Sequence, residues 1–329
     1  MRASVIVITR NRANSISETL EALSKLDYPD FEVLVVDSSD EAEKGPTEKL
    51  VAQFGARYIF EPRRGQALAR NTAIPLTTGE VIAFTDDDCI PAKDWLARKV
   101  QSYSDPAVYA CTGRVVKHNE GDASQLFEEV AGQDLGGERR IFTREDIRFG
   151  IGFLLSNVLK VFAKHMKSGA PVPWCLGHGS SMSFRREAFR QNGGFDERYG
   201  WGRPLGGCED IEILYRTLKS NHAVIYEPAA VVRHKHRFTT DEVFKTRYIY
   251  SYGGAGFMRQ NQQDALMVFS FYGRLLQLLI KSAQYKVLGK KDLAKSFNSD
   301  LRGFMDGWAS YRKFARESRS QPSDQPRKL

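Results

Sequence analysis

The sequence predicts an α/β fold: a mostly parallel sheet with helices on both faces. Through the first hundred residues, short apolar runs such as Val5–Ile8, Phe31–Val36 and Val81–Thr85 alternate with helical stretches. These runs are almost continuously hydrophobic, as in strands covered on both faces, rather than alternating as in half-exposed ones. Three polar clusters, Arg10-Asn11-Arg12, Asp37 and Asp86-Asp87-Asp88, each follow a strand directly. In parallel sheets ligands bind beyond the carboxyl ends of the strands, so the clusters are expected to converge on one site.

Each element has a local reason. After the first strand, Asn14-Ser15-Ile16-Ser17-Glu18 places Ser15 and Glu18 at capping-box spacing ahead of Leu20, Leu23 and Leu26. The second strand ends in Asp37-Ser38-Ser39-Asp40. A helix over Glu41–Phe54 leads to a third strand, Arg57–Phe60, and Gly65–Ile74 reads as another helix. The fourth strand runs into the Asp triplet, and a helix follows Pro91. Val108–Gly113 reads as a strand, and residues 120–170 as helical and irregular. Ser180–Phe184 is a strand candidate, Glu187–Gln191 a short helix, and Asp210–Ser220 an amphipathic one. Ala223–Tyr226 and Ala229–Val232 read as two strands.

The net charge of +8 suggests nucleic acid until it is located. Residues 281–329 hold twelve Lys/Arg against five Asp/Glu, so the excess sits in the tail and the rest of the chain is nearly neutral. Nucleic-acid binding would need basic residues interleaved with aromatics on the domain itself, and is not expected. The four cysteines are widely spaced with no CxxC pair, which reads as reduced thiols in a cytoplasmic protein. The N-terminus does not read as a signal peptide. Residues 265–280 are apolar but for a narrow stripe of Ser270, Arg274 and Gln277, continued by Lys281 and Gln284. That pattern fits a helix packed on the domain or one laid into a membrane interface, and the basic residues after it suit an anionic lipid surface.

Three carboxylates in a row repel one another, and oxygen ligands of this kind suit a hard divalent cation. Arg63-Arg64-Gly65 ahead of Ala69-Arg70-Asn71 favours phosphate, and Glu209-Asp210 pairs acids at a helix start. Arg233-His234-Lys235-His236 offers imidazoles after a strand. In this order, Ser4–Arg12, Val35-Val36-Asp37, Gly65 with Ala69-Arg70-Asn71, Phe84–Asp88, Ser183–Arg186, Gly193–Glu197 and Glu209-Asp210 resemble glycosyltransferase family 2, inverting enzymes of the GT-A fold.

The resemblance covers about residues 1–240 and implies a GT-A domain there. Residues 1–115 would be its nucleotide-sugar half and residues 116–240 its acceptor half. Residues 241–317 would form a helical, basic extension that is a candidate for membrane association, and 318–329 a disordered tail. It further implies that Thr9, Arg10 and Asn11 wrap the nucleoside, that Asp37 bonds the base, and that Arg70 lies near the diphosphate. Asp86 and Asp87 would contact ribose and sugar, and Asp88 with His234 would hold Mn²⁺ or Mg²⁺. Asp210 would be the catalytic base, with Glu209 beside it raising its basicity by repulsion. The implied reaction is inverting transfer from a nucleoside-diphosphate sugar, UDP favoured, to a hydroxyl of a glycan or lipid-linked acceptor. The setting would be cytoplasmic and peripheral at the membrane.

Other classes fit less well. A nicotinamide oxidoreductase would carry G-x-G-x-x-G after the first strand, where Thr9–Asn14 has no glycine. A sugar nucleotidyltransferase would show a glycine- and lysine-rich loop there. A non-catalytic nucleotide-sugar-binding protein would have no need of both Asp88 and Asp210.

Overall fold

The computed structural model describes residues 1–118, 121–147, 173–235 and 239–320. Much of the irregular region expected at 120–170, His236, and the tail from 321 lie outside these.

The first six elements follow the expected order: β1 (Ala3–Thr9), α1 (Ala13–Ser24), β2 (Phe31–Asp37), α2 (Glu41–Gln53), β3 (Arg57–Phe60) and α3 (Gln66–Ala73). Next come β4 (Val81–Asp86), β5 (Cys89–Pro91), α4 (Trp95–Gln101), β6 (Val108–Lys117), α5 (Asp122–Ala131), β7 (Arg140–Phe142), β8 (Met182–Arg185) and α6 (Arg186–Asn192). The chain continues through α7 (Glu209–Lys219), β9 (Ala223–His234), α8 (Thr240–Gln260), α9 (Ala265–Val287) and α10 (Lys291–Ser320).

One nine-stranded sheet holds the strands in the order β3-β2-β1-β4-β8-β6-β9-β5, with β7 also on β9. It is parallel from β3 to β4 and again between β6 and β9. Antiparallel β8 joins these two parts. The register is what builds a site: Thr9 pairs with Asp37, and Ile8 with Asp86, so three strand ends finish level. Antiparallel β5 pairs Cys89 with His234, which brings the end of β9 back beside the Asp triplet.

The two faces of β1 divide the core. Ile6 and Ile8 enter one cluster with Phe84, Phe184, Phe189 and Phe195, under α3, α6 and α7. Val5 and Val7 enter the other with Ile16, Leu20, Val51 and Trp95, under α1, α2 and α4. A further core joins α7 to the C-terminal helices through Ile211, Tyr215, Phe257, Phe271 and Phe304.

Two local expectations are corrected. The Ser15–Glu18 capping box does not form: α1 begins after Arg12 without a side-chain cap, and the Ser15 hydroxyl donates instead to the Asp87 carbonyl at 3.0 Å. The two strands expected after Ala223 are one, β9, with a register shift against β6 near Glu227. In α9 the first part of the polar stripe turns inward, while Gln284 at its end is exposed. Ser270 is buried, and Arg274 reaches inward to Asp300 at 3.4 Å.

Candidate active site

The Asp triplet turns at the end of β4 with its carboxylates in different directions. Asp87 points inward, where its Oδ2 accepts from the Thr9 hydroxyl at 2.7 Å and its Oδ1 from Arg12 at 3.0 Å. The same guanidinium nitrogen reaches Asp88 at 3.0 Å. Burial first, then the charge of Asp88, pushes the Asp87 carboxyl up to about 6, although Arg12 and Thr9 oppose this. Burial also raises Asp86, with Arg70 opposing and Asp88 adding to the shift. A dication among them would relieve that repulsion.

The His234 ring sits 3.1 Å from Asp88 through its Nε2, and its Nδ1 meets the Gln133 Oε1 at 3.1 Å. Burial disfavours the charged ring, but Asp88 outweighs this and raises the imidazole above its usual value. Ligand atoms of Asp88, His234 and Cys89 lie within 4.8 Å of one another. Burial pushes the Cys89 thiol well above its usual value. Carboxylate plus imidazole suits Mn²⁺ best, and Mg²⁺, which prefers oxygen, would lean on the carboxylate. The residues therefore fit the implied cation.

Across the sheet end, Arg70 of α3 is buried and binds two acids. Its Nη1 donates to Glu209 at 2.8 Å and its Nη2 reaches Asp86 at 3.3 Å. The Glu209 carboxyl, raised by burial, is thus spent on Arg70. Its neighbour Asp210 turns the other way: Oδ2 accepts from the Gly179 N–H at 2.8 Å and Oδ1 from the Ile211 N–H at 2.8 Å. A Cβ on Gly179 would lie 3.3 Å from both the Arg70 Nη2 and the Asp210 Oδ2. This explains why the small segment before β8 is needed there.

The loop after β1 forms a third part. Arg10 donates to the Ser38 carbonyl at 2.7 Å and to Asp40 at 2.9 Å. Asn11, with φ of 53°, donates its amide to the Asp40 carboxylate at 2.9 Å and accepts the Asp40 backbone N–H at 2.9 Å. Asp37 is fully buried, its carboxylate held by Ser39 and by the Tyr58 hydroxyl at 3.0 Å. Thr9, Arg10, Asn11 and Asp37 thus gather at one end of the sheet, with Asp37 facing inward.

Sequence reasoning passed over several neighbours. Gln133 follows the left-handed cap Gly132 of α5, and its carbonyl meets the His178 Nε2 at 2.9 Å. Tyr250 of α8 faces the same acids; burial, then Asp210, Glu209 and Asp86, push its hydroxyl pKa up. Arg12 was visible as one of a cluster, but not as the partner of the triplet.

A family model described as Glycosyl transferase family 2 matches residues 4–192. Glycosyltransferase AglE of Haloferax volcanii is 30% identical over 206 residues, 56% of this chain and 64% of AglE, so the chain spans less than two thirds of that relative. Glucosyl-dolichyl phosphate glucuronosyltransferase of the same organism is 26% identical over 245 residues, 71% of this chain and 69% of that one. Among solved structures, the mannosyltransferase PcManGT from Pyrobaculum calidifontis, in complex with GDP-Man and Mn²⁺, superposes with a TM-score of 0.56. It is 20% identical, with 96% of this chain and 80% of that one covered, a likeness of fold.

Proposed function

This chain belongs to glycosyl transferase family 2, and from that premise we propose that it is an inverting, metal-dependent hexosyltransferase. Its donor is a nucleoside-diphosphate sugar, a UDP-sugar first. Its acceptor is a hydroxyl of a glycan or lipid-linked substrate in polysaccharide or cell-envelope synthesis. The observation that carries this reading is the pair of hydrogen bonds that Arg70 donates to Asp86 and Glu209. It ties the Asp triplet, suited to a donor, to the α7 N-terminus, suited to an acceptor.

Asp210 is the base. It takes the acceptor hydroxyl proton as the oxygen bonds to the anomeric carbon and the diphosphate leaves from the opposite face. The Gly179 N–H, 2.8 Å from Oδ2, aims the carboxylate. Glu209 is a positioning residue, held by Arg70. Thr9, Arg10, Asn11 and Asp37 form the nucleoside end, and Asp86 and Asp87 the ribose and sugar contacts. Mn²⁺ or Mg²⁺ at Asp88 and His234 would supply Lewis-acid stabilisation of the departing diphosphate. PcManGT, which binds GDP-Man with Mn²⁺, supports a nucleotide-sugar donor with a divalent cation. The dolichyl phosphate acceptor named for one relative supports a lipid-linked acceptor and hence peripheral work at the cytoplasmic membrane face.

A panel of nucleotide sugars, assayed for uncoupled hydrolysis with Mn²⁺ and with Mg²⁺, should identify one preferred donor. Asp210→Asn should slow turnover by roughly 10²–10⁴-fold, the usual size of a general-base contribution, while donor binding by calorimetry persists. Undiminished turnover would remove Asp210 from the mechanism.

A further inference from the structure

The helix α9 is turned with much of its polar side inward. Ser270 and Arg274 face α8 and α10, where Asp300 takes Arg274 at 3.4 Å, Arg247 at 2.6 Å and the Ser251 hydroxyl at 3.0 Å. Leu266, Met267, Phe271 and Leu278 share that inner face, Phe271 stacking on Phe304 with centroids 4.9 Å apart. The outer face is apolar. Val268, Tyr272, Leu276, Leu279, Ile280 and Val287 follow one another at helical spacing and are all exposed, Tyr272 by 65% and Val287 by 86%. A helix in water presents the reverse arrangement, and a contiguous apolar stripe marks a surface made for something else.

Charge says what covers it. At and beyond the C-terminal end of the stripe stand Lys281, Lys286, Lys290, Lys291 and Lys295, with Asp292 the only acid in residues 281–295. Lys286, Lys290, Lys291 and Lys295 are exposed. An apolar stripe with a basic end matches the acyl boundary and anionic headgroups of a bilayer. By length and composition α9 could cross a membrane. Its inner face is instead committed to α8 and α10, with a guanidinium at its middle, so it lies along the surface.

We propose that the outer face of α9 docks this protein on an anionic membrane, Tyr272, Leu276 and Ile280 entering the acyl boundary and Lys286, Lys290 and Lys291 meeting the headgroups. The inference rests on α9 alone and stands apart from the transfer chemistry.

Flotation of the full chain with phosphatidylcholine vesicles, with and without phosphatidylglycerol, tests it. The protein should float with the anionic vesicles and be released by salt. Lys286→Gln/Lys290→Gln/Lys291→Gln should lower partitioning by about a hundredfold, since each basic residue near such a surface contributes about fivefold. Leu276→Ser/Ile280→Ser, at exposed positions, should reduce binding on the order of tenfold or more while the thermal melt stays that of the parent. Equal flotation of parent and double variant overturns the proposal. So does a parent that ignores anionic vesicles but forms a dimer that the double variant abolishes, which would make the face a contact between two copies.

Discussion

Gln133 meets two histidines at once: its carbonyl faces the His178 Nε2 and its side-chain oxygen the His234 Nδ1. A proton on Nδ1 of His234 satisfies the Gln133 oxygen, which leaves Nε2 as the nitrogen that a cation beside Asp88 would take. Partners of this kind are typically worth 10–100-fold in metal affinity, so Gln133→Ala should weaken Mn²⁺ binding by about that factor. Titration followed by electron paramagnetic resonance would measure it, and Gln133→Glu, which keeps an acceptor, should restore most of the loss. A second residue-level expectation concerns acid. Burial opposes the Glu61 charge, but bonds from Arg63 and Thr72 outweigh it and hold the carboxyl down at about 2. Its stabilisation is complete above about pH 4.5, the ordinary carboxylate value, and is lost as pH falls towards 2. Glu61→Gln should therefore flatten the stability–pH curve over that window in urea melts and leave its slope near pH 7 unchanged. Asp88, Glu209 and Asp210 were legible because each stands in an acidic run at an element end. Gln133 and Tyr250 were not, since a lone amide and a helical tyrosine carry no local signature and only the tertiary fold brings them in.

At the scale of elements, two similar patterns had opposite fates. Thr239–Glu242 forms a complete capping box at the start of α8. Ser15–Glu18 does not, because a buried carbonyl at Asp87 claims the serine hydroxyl. Local chemistry proposes a cap, and a tertiary partner can take it. The strands were legible because burial on both faces leaves a continuous apolar run, and their ends located the site. The break expected between Tyr226 and Ala229 is, within β9, only a shift of register. Helix pairing was not legible. A Cβ at Gly307 of α10 would stand 2.1 Å from the Tyr252 carbonyl oxygen, and one at Gly303 would stand 2.2 Å from that of Tyr248. These glycines let the backbones of α8 and α10 touch. Gly273 of α9, by contrast, has nothing within 4 Å of its missing Cβ. Gly307→Ala should lower the melting temperature, while Gly273→Ala should hold or raise it through the helix preference of about 0.5–1 kcal/mol. Equal shifts of the same sign would mean that helix propensity, not close approach, governs both positions.

For the molecule as a whole, the question is whether the C-terminal helices are an appendage or part of the catalytic unit. The sequence placed a boundary near residue 240, where β9 gives way to α8, and nothing local says how the two parts join. Tyr199, Leu205, Ile211 and Tyr215 share one core with Phe257, Met258, Phe271 and Phe304, so α7, whose N-terminus holds Glu209 and Asp210, packs directly on the extension. Within that extension Asp300 has no exposed surface and binds Arg247, with Arg274 beside it. Asp300→Ala strands two guanidinium groups, and breaking a buried pair from one side costs about 3–5 kcal/mol. If the core is continuous, that loss must reach the sheet. Far-UV dichroism, which reports the whole chain, and the fluorescence of Trp95 beneath the sheet and Trp308 on α10 should then fall together, at one lowered midpoint. Replacing Trp308 by Phe leaves Trp95 among the remaining reporters, and the midpoint they record should drop as far as that of the complete set. An early helical transition followed by a sheet transition at the parent's midpoint would show two independent units and would uncouple α9 and its outer face from the site at α7.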